Sequence, residues 1–287
     1  MSLAEHDTPA YNMPAKHLVP VGDYLSELMA IPPSRMFLIN KSLAVYKQKN
    51  PGGKTYDASQ ELRLGYDSNF VYFADPMCSW CYGFAPVMTK LFDQFKGRMG
   101  LKVVMGGLRA GNETPMTDKD RAYIREAWKK VGEATGQPFD MAFFERESFT
   151  YNTEPACRAV VTARRLDVEG ALPLKARISR AFYGENRDMT NAEEICDVAE
   201  EAGFNRAAFA ECFAAPETQN ETFRDFLTAQ ELGIRGFPTL VAGSNETGYA
   251  LVTNGYRPFE DLSQPLERWL AAGAPVRNAE EGDAARG

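Results

Sequence analysis

The chain has only two histidines in 287 residues, His6 and His17. Any Ser-His-Asp or Cys-His relay, and any histidine-rich zinc or iron site, would have to recruit this extreme N-terminal segment, so most hydrolase chemistries fall away. Long apolar runs are missing too. Nothing approaches the roughly 18 consecutive apolar residues of a membrane span, and the chain does not open with a basic stretch followed by an apolar one, as a secretory leader would. Cysteine is scarce and odd in number, five, which is too little for a secreted disulfide framework and leaves at least one thiol unpaired. An excess of positive charge is absent as well: 32 Lys+Arg stand against 39 Asp+Glu, a net charge of −7, so nothing in the balance draws the chain to nucleic acid or anionic lipid. The expectation is a soluble cytoplasmic protein with no nucleic-acid or membrane partner.

What is present is ordinary globular usage, 44% hydrophobic, 25% charged and 11% aromatic, in a chain long enough for one large domain or one domain carrying an insertion. Residues 1–66 lack a consistent period and are punctuated by Pro9, Pro14, Pro20, Pro32-Pro33 and Asn50-Pro51-Gly52-Gly53. They read as an arm of unknown role, with Met36–Tyr46 apolar enough to dock on the body. From Asn69 the pattern sharpens. The run NFVYFAD closed by Asp75-Pro76 reads as a buried strand, Cys78–Lys96 has a helical apolar face, and Leu101–Met105 ends at Gly106-Gly107 as a second strand, so a right-handed crossover makes the two parallel. A helical block follows: Thr117–Thr135, Phe139–Glu147, Pro155–Leu166, Leu172–Glu185 and Asn191–Gly203, with Thr190 and Glu193 predicting a capping box and Pro155 suiting a first helical position. A helix over Thr218–Leu232, a hairpin from Pro238–Gly243 and Tyr249–Gly255, and a helix over Pro258–Ala272 complete the pattern. The order is β-α-β, helices, then α-β-β-α. It predicts an α/β fold whose first half, residues 67–110, and second half, residues 216–275, share one sheet interrupted by a helical insertion at 111–215, with a polar tail at 276–287.

Chemistry concentrates at Cys78-Ser79-Trp80-Cys81. The pair sits where a strand gives way to a helix, so Cys78 should cap the helix with unpaired backbone N–H groups and the positive end of the dipole beside its sulfur. That setting favours thiolate, the attacking species, and Cys81, one turn on and more buried, could resolve a mixed disulfide. A zinc knuckle would need two further ligands, and Cys157, Cys196 and Cys212 offer neither a second close pair nor a nearby histidine, so no metal is expected. Trp80 should face solvent at the rim of such a site, placed to touch an unfolded peptide. The second feature is Gly236-Phe237-Pro238-Thr239 at the start of a strand, where proline marks an edge or a cis turn.

Together, FADPMCSWCYGFAP (Phe73–Pro86) and GIRGFPTL (Gly233–Leu240) resemble the DsbA-like branch of the thioredoxin superfamily, in which a helical domain is inserted after the first βαβ unit of a thioredoxin-like fold. Asn152–Arg165, AFYGENRDMTN and NGYRPFEDL are similar to its bacterial cytoplasmic members, related to disulfide-isomerase proteins and to kappa-class glutathione transferases. The resemblance covers about residues 69–272 and implies a thiol-disulfide oxidoreductase, acting as reductase or isomerase. Cys78 would be its nucleophile, Cys81 its resolving thiol and Pro238 a facing cis-proline, with Phe237 and Thr239 flanking a substrate groove. It implies a protein or small-thiol substrate, with no bound cofactor and redox exchange with thiols such as glutathione or with a thioredoxin system.

The sequence also departs from that branch. Its periplasmic oxidases carry a histidine between the cysteines, and here the dipeptide is Ser-Trp. With no cation there, a less depressed Cys78 pKa and a less oxidising couple are expected. Asp75 is the nearest counterpart of the buried acid that moves protons in thioredoxins, although Asp-Pro is also an ordinary turn. Cys157, in the first turn of its helix, reads either as a third redox thiol or as a small apolar residue in a helix contact. Two other functions fit the residues: a glutathione-dependent transferase or isomerase, which would not need Cys81, and a non-catalytic adaptor whose cysteines sense oxidation.

Overall fold

A computed structural model of the protein describes residues 66–244 and 248–274, with the backbone of Val19–Pro20. The rest of the arm, the Met36–Tyr46 element and the 276–287 tail lie outside the described residues.

Strand β1 is Val19–Pro20, two residues long. Asn69–Ala74 forms β2, buried on both faces, and pairs in parallel with β3, Gly100–Met105, from Asn69 opposite Gly100 to Ala74 opposite Met105. The crossover is helix α1, Ser79–Phe95, which lays Phe84, Met88, Leu91 and Phe95 on the sheet. Strand β4, Thr239–Ser244, runs antiparallel to β2, and β5, Gly248–Asn254, antiparallel to β4, with a bulge at Leu240/Val241 that shifts the register near the site. The sheet order is β1-β5-β4-β2-β3, with β1 adding two residues to the β5 edge. The two halves of the sequence therefore meet in the middle of one mixed sheet, between β2 and β4.

Between them stand α2 (Asp118–Thr135), α3 (Glu154–Leu166), α4 (Ala171–Gly184), α5 (Ala192–Glu201) and α6 (Arg206–Ala214). Helices α7 (Pro216–Glu231) and α8 (Phe259–Ala271) return to the sheet. Three local expectations need correction. Phe139–Glu147 is not an α-helix: only Met141–Glu145 coils, as a 3-10 turn, because Phe143 and Phe144 both turn inward onto Trp128, with centroids 4.9 and 4.8 Å away. Thr190 does not cap α5, since its hydroxyl is taken by Asp188 at 2.6 Å and the Asn191 side chain receives the Glu193 and Glu194 amides instead. Helix α6 was not expected at all. It is nine residues long, has four alanines that blur its apolar face, and starts on an Asn205 cap.

The insertion has an aromatic core of its own, in which Trp128, Phe143, Phe149, Phe182 and Tyr183 meet mostly edge to face. It is joined to the sheet half by ring stacking of Tyr82 on Tyr183 at 5.2 Å, and by a nearly buried ion cluster. In that cluster Arg164 of α3 donates to Asp225 and Glu221 of α7 and to the Val103 carbonyl of β3, while Asp225 also accepts the Met105 amide. Among the described residues no helix is long and apolar enough to cross a membrane.

Candidate active site

The Asp75-Pro76-Met77-Cys78 turn carries the chain from β2 into α1, and its shape is set by Asp75. That carboxylate is fully buried; one oxygen accepts the Met77 amide at 2.8 Å and the other the Leu108 amide at 2.7 Å. Thr153 and Cys157 of the insertion add side-chain donors, the Cys157 sulfur at 3.5 Å. Burial still pushes the Asp75 carboxyl above the usual carboxylate range, against these hydrogen bonds. Asp75 is thus both a turn-former and a buried acid.

The turn delivers Cys78 as the N-cap of α1, with extended backbone (φ −98°, ψ 121°). Its thiol is buried rather than exposed, with 6% of the residue accessible, and donates to the Phe237 carbonyl at 3.6 Å across the sheet. The Phe237–Pro238 bond is cis, as the resemblance implied. Cys81, fully buried, lies one helical turn on. The Cys81 thiol, hydrogen-bonded to the Cys78 sulfur, holds Cys78 below the ordinary thiol range, helped by the Cys81 amide and a buried lysine, with burial opposing. Burial pushes Cys81 well up, and its bond to Cys78 adds to this. The Tyr72 hydroxyl stands beside Cys81 without a hydrogen bond of ordinary geometry. All five cysteines are free thiols.

The Ser-Trp dipeptide holds no cation, but one reaches the pair from elsewhere in the chain. Lys175 of α4 is fully buried and its Nζ donates to the Cys81 carbonyl at 2.7 Å. Two more donors from the insertion hold the same corner: Ser179 Oγ reaches the Pro76 carbonyl at 2.7 Å, and the Tyr151 hydroxyl the Met77 carbonyl at 2.8 Å, itself 3.0 Å from the Tyr183 hydroxyl. Composition and motif spacing did not expose these residues. One signal was there to find: Ala171, Lys175, Ile178 and Phe182 are spaced four, three and four apart, so Lys175 lies on the apolar face of its helix.

The structure brings Cys78, Cys81, Pro238, Phe237, Asp75 and Cys157 together, with differences in detail. Phe237 offers its carbonyl; the far end of its ring lies against Gly106, where any β-carbon would collide with it. Thr239 is buried, its hydroxyl is engaged by the Gly236 carbonyl and Asn254, and it stands in the sheet between Phe73 and Asn254. Trp80 is half-buried on Tyr256, at 6.3 Å, and does not stand free in solvent. Cys157 is fully buried and its thiol is pushed well up, chiefly by burial, so it packs and donates to Asp75 and gains no thiolate character from its helix start.

A CxxC pair capping the first helix of a βαβ unit, opposite a cis-proline strand and under a helical insertion, defines a protein of the thioredoxin class. Residues 70–267 match the family described as DSBA-like thioredoxin domain, and the chain belongs to it. Among solved structures it is similar to a candidate protein disulfide isomerase from Nitrosomonas europaea, at 37% identity and a TM-score of 0.66, covering 72% of this chain and 98% of that one. It is also similar to the cytosolic disulfide reductase DsbM from Pseudomonas aeruginosa, at 26% identity and a TM-score of 0.57, covering 71% and 98%. Among curated proteins it matches the ClpXP adapter protein SpxH of Halalkalibacterium halodurans, at 21% identity over 69% of this chain and 66% of that protein, and SpxH of Bacillus subtilis, at 21% over 58% and 56%. The chain spans less than two thirds of the length of these two curated relatives.

Proposed function

We propose that the protein is a cytoplasmic thiol-disulfide oxidoreductase that reduces or isomerises disulfides of proteins or small thiols. The observation that carries this reading is the pairing of a lowered Cys78 with a raised Cys81 at the start of one helix, against the Phe237 carbonyl. Cys78 thiolate attacks a substrate disulfide and forms a mixed disulfide along the Phe237–Pro238–Thr239 backbone, with Trp80 at the rim. Cys81 then attacks Cys78 and releases the reduced product, and buried Asp75 is the carboxyl nearest the turn that can take up the proton Cys81 gives up. The disulfide so formed is reset by glutathione or a thioredoxin system, without a bound cofactor. The compartment's redox poise against the couple's own potential decides the direction. A cytosolic setting agrees with that of DsbM, a cytosolic disulfide reductase.

The test is Cys81→Ser. It should accumulate a mixed disulfide through Cys78 that is seen on non-reducing gels and is absent in Cys78→Ser. No trapped species with a disulfide substrate would overturn the exchange mechanism.

The curated relatives favour a second reading, in which the thioredoxin-like surface presents a partner to a protease and the thiols only sense oxidation. There the Cys78→Ser, Cys81→Ser double variant would keep full partner binding, whereas an oxidoreductase loses its exchange activity completely.

A further inference from the structure

Helix α4 turns a face of Ala171, Leu174, Ile178 and Phe182 toward the interior, all buried, and in the middle of that face stands a lysine. An apolar side chain would fill the position without the cost of stripping water from an ammonium. Among the described residues Lys175 makes one hydrogen bond, to the Cys81 carbonyl, and no carboxylate lies within ion-pairing distance of it. Its Nζ lies 5.8 Å from the centre of the Tyr72 ring. The ionisable groups that act on it come from every side: Asp75 after β2, Cys78 and Cys81 at the start of α1, and Cys157 in α3. Tyr151 and Tyr183 border the same cluster through Cys78 and Asp75. Of these, Asp75 is the one carboxyl, and it is already engaged by the Met77 and Leu108 amides.

We propose that Lys175 is a positioning residue of the redox pair: from the helical insertion it holds Cys81 by its carbonyl and supplies the counter-charge for the thiolates that exchange creates. The inference rests on the oxidoreductase reading. In the first step the Cys78 Sγ–substrate sulfur bond forms, the substrate S–S bond breaks, and its electron pair leaves on the departing thiolate. In the second step Cys81, having lost its proton, bonds to Cys78 Sγ. The Cys78–substrate bond breaks, and the substrate sulfur leaves with the electron pair and takes up a proton. Two electrons pass from the cysteine pair to the substrate, and Lys175 keeps its own proton throughout. Burial pulls the lysine's affinity for that proton down, and the thiols and Asp75 hold it up, so the ammonium is favoured most when a sulfur is anionic. The reduced form is the one stabilised.

The test compares Lys175→Met, which removes charge and donor, with Lys175→Gln, which keeps a donor for the Cys81 carbonyl. Both should slow alkylation of Cys78 by iodoacetamide at neutral pH about 10-fold and move its half-maximal pH upward. Both should also shift the equilibrium with glutathione about 10-fold toward the disulfide, which is about 30 mV more negative for a two-electron couple. Folded variants with the wild-type alkylation profile and equilibrium would overturn the proposal, and so would a wild-type Gln variant beside an altered Met variant, because the hydrogen bond alone would then suffice. If neither variant folds, the Lys175 Nζ titration followed by nitrogen NMR in the wild type decides. A higher midpoint in reduced than in oxidised protein supports the counter-charge, and equal midpoints reject it. If wild-type protein forms no Cys78–Cys81 disulfide in glutathione, the oxidoreductase reading fails, while the alkylation profile still reports on Lys175.

Discussion

The sheet half of the molecule and its helical insertion contribute different things to the same corner. The sheet half carries both thiols and the cis peptide bond; the insertion carries the side chains that grip the backbone around them, at the Pro76, Met77 and Cys81 carbonyls. Each of those grips crosses the seam between the two regions. Removing one of these donors with the insertion still docked would leave the Pro76 or Met77 carbonyl of the turn, or the Cys81 carbonyl in the first turn of α1, without its side-chain partner, and a buried acceptor left wholly without a partner costs about 1–3 kcal/mol. The geometry of Cys78 therefore depends on docking of the insertion, and substitutions along the seam should disturb it.

The largest effect is expected at Arg164. Arg164→Ala leaves Asp225, nearly buried, without its guanidinium and frees the Val103 carbonyl, and loss of one partner from such a pair costs about 3–5 kcal/mol. Urea unfolding measures the loss. If the comparison holds, Cys78 alkylation in the folded variant also changes, although Arg164 touches neither thiol. Unchanged reactivity at reduced stability would show that the sheet half sets the corner unaided. Asp75 comes next. Asp75→Ala unpairs the Met77 and Leu108 amides and should cost about 2–4 kcal/mol, and Asp75→Asn, which keeps an acceptor for one of them, clearly less. Equal losses in the two variants would mean that the negative charge, and not the turn's hydrogen bonding, is what Asp75 supplies.

The same division explains what could be read in the sequence. The parallel β2–β3 pair, its crossover helix, the β4–β5 hairpin and the Cys78–Cys81 corner each announce themselves within a short stretch, because apolar periodicity and punctuation by Asp75-Pro76, Gly106-Gly107 and Pro238 are local signals. Ser179, Tyr151 and Lys175 lie 103, 74 and 94 residues from the carbonyls they bind, and nothing local records such a pairing. Lys175 was half-visible as a charge on an apolar face. Tyr151 and Ser179 were indistinguishable from ordinary packing residues, and nothing local marked the bonds of the Thr239 hydroxyl to the Gly236 carbonyl and Asn254. The Phe143–Phe144 turn was misread because tertiary ring packing overrode a helical period.

The smallest effect is expected within the corner, between the two thiols. Cys78 is held below the ordinary thiol range of about 8.5, so between its folded value and that range the unfolded chain keeps a proton the folded chain has lost. Its contribution to stability is complete above the unfolded value and is lost as pH falls through the folded one. Cys81 is raised, so above the ordinary thiol range the unfolded chain ionises first and stability falls as pH rises. Reduced protein should accordingly gain stability over its disulfide form, in which neither sulfur titrates, on approaching the ordinary thiol range from below, and lose it again above. Each pKa unit of displacement is worth about 1.4 kcal/mol. The two alanine variants should not mirror each other. The Cys78 shift comes first from the Cys81 thiol, whereas the Cys81 shift comes first from burial. Cys78→Ala should therefore erase only the rising limb, whereas Cys81→Ala should erase the rising limb and leave a shallower falling one, because burial still opposes ionisation of Cys78. Urea unfolding of reduced wild type and the two variants across this pH range reads the difference directly, and mirror-image curves would mean that both thiols are tuned by shared charge in place of their hydrogen bond.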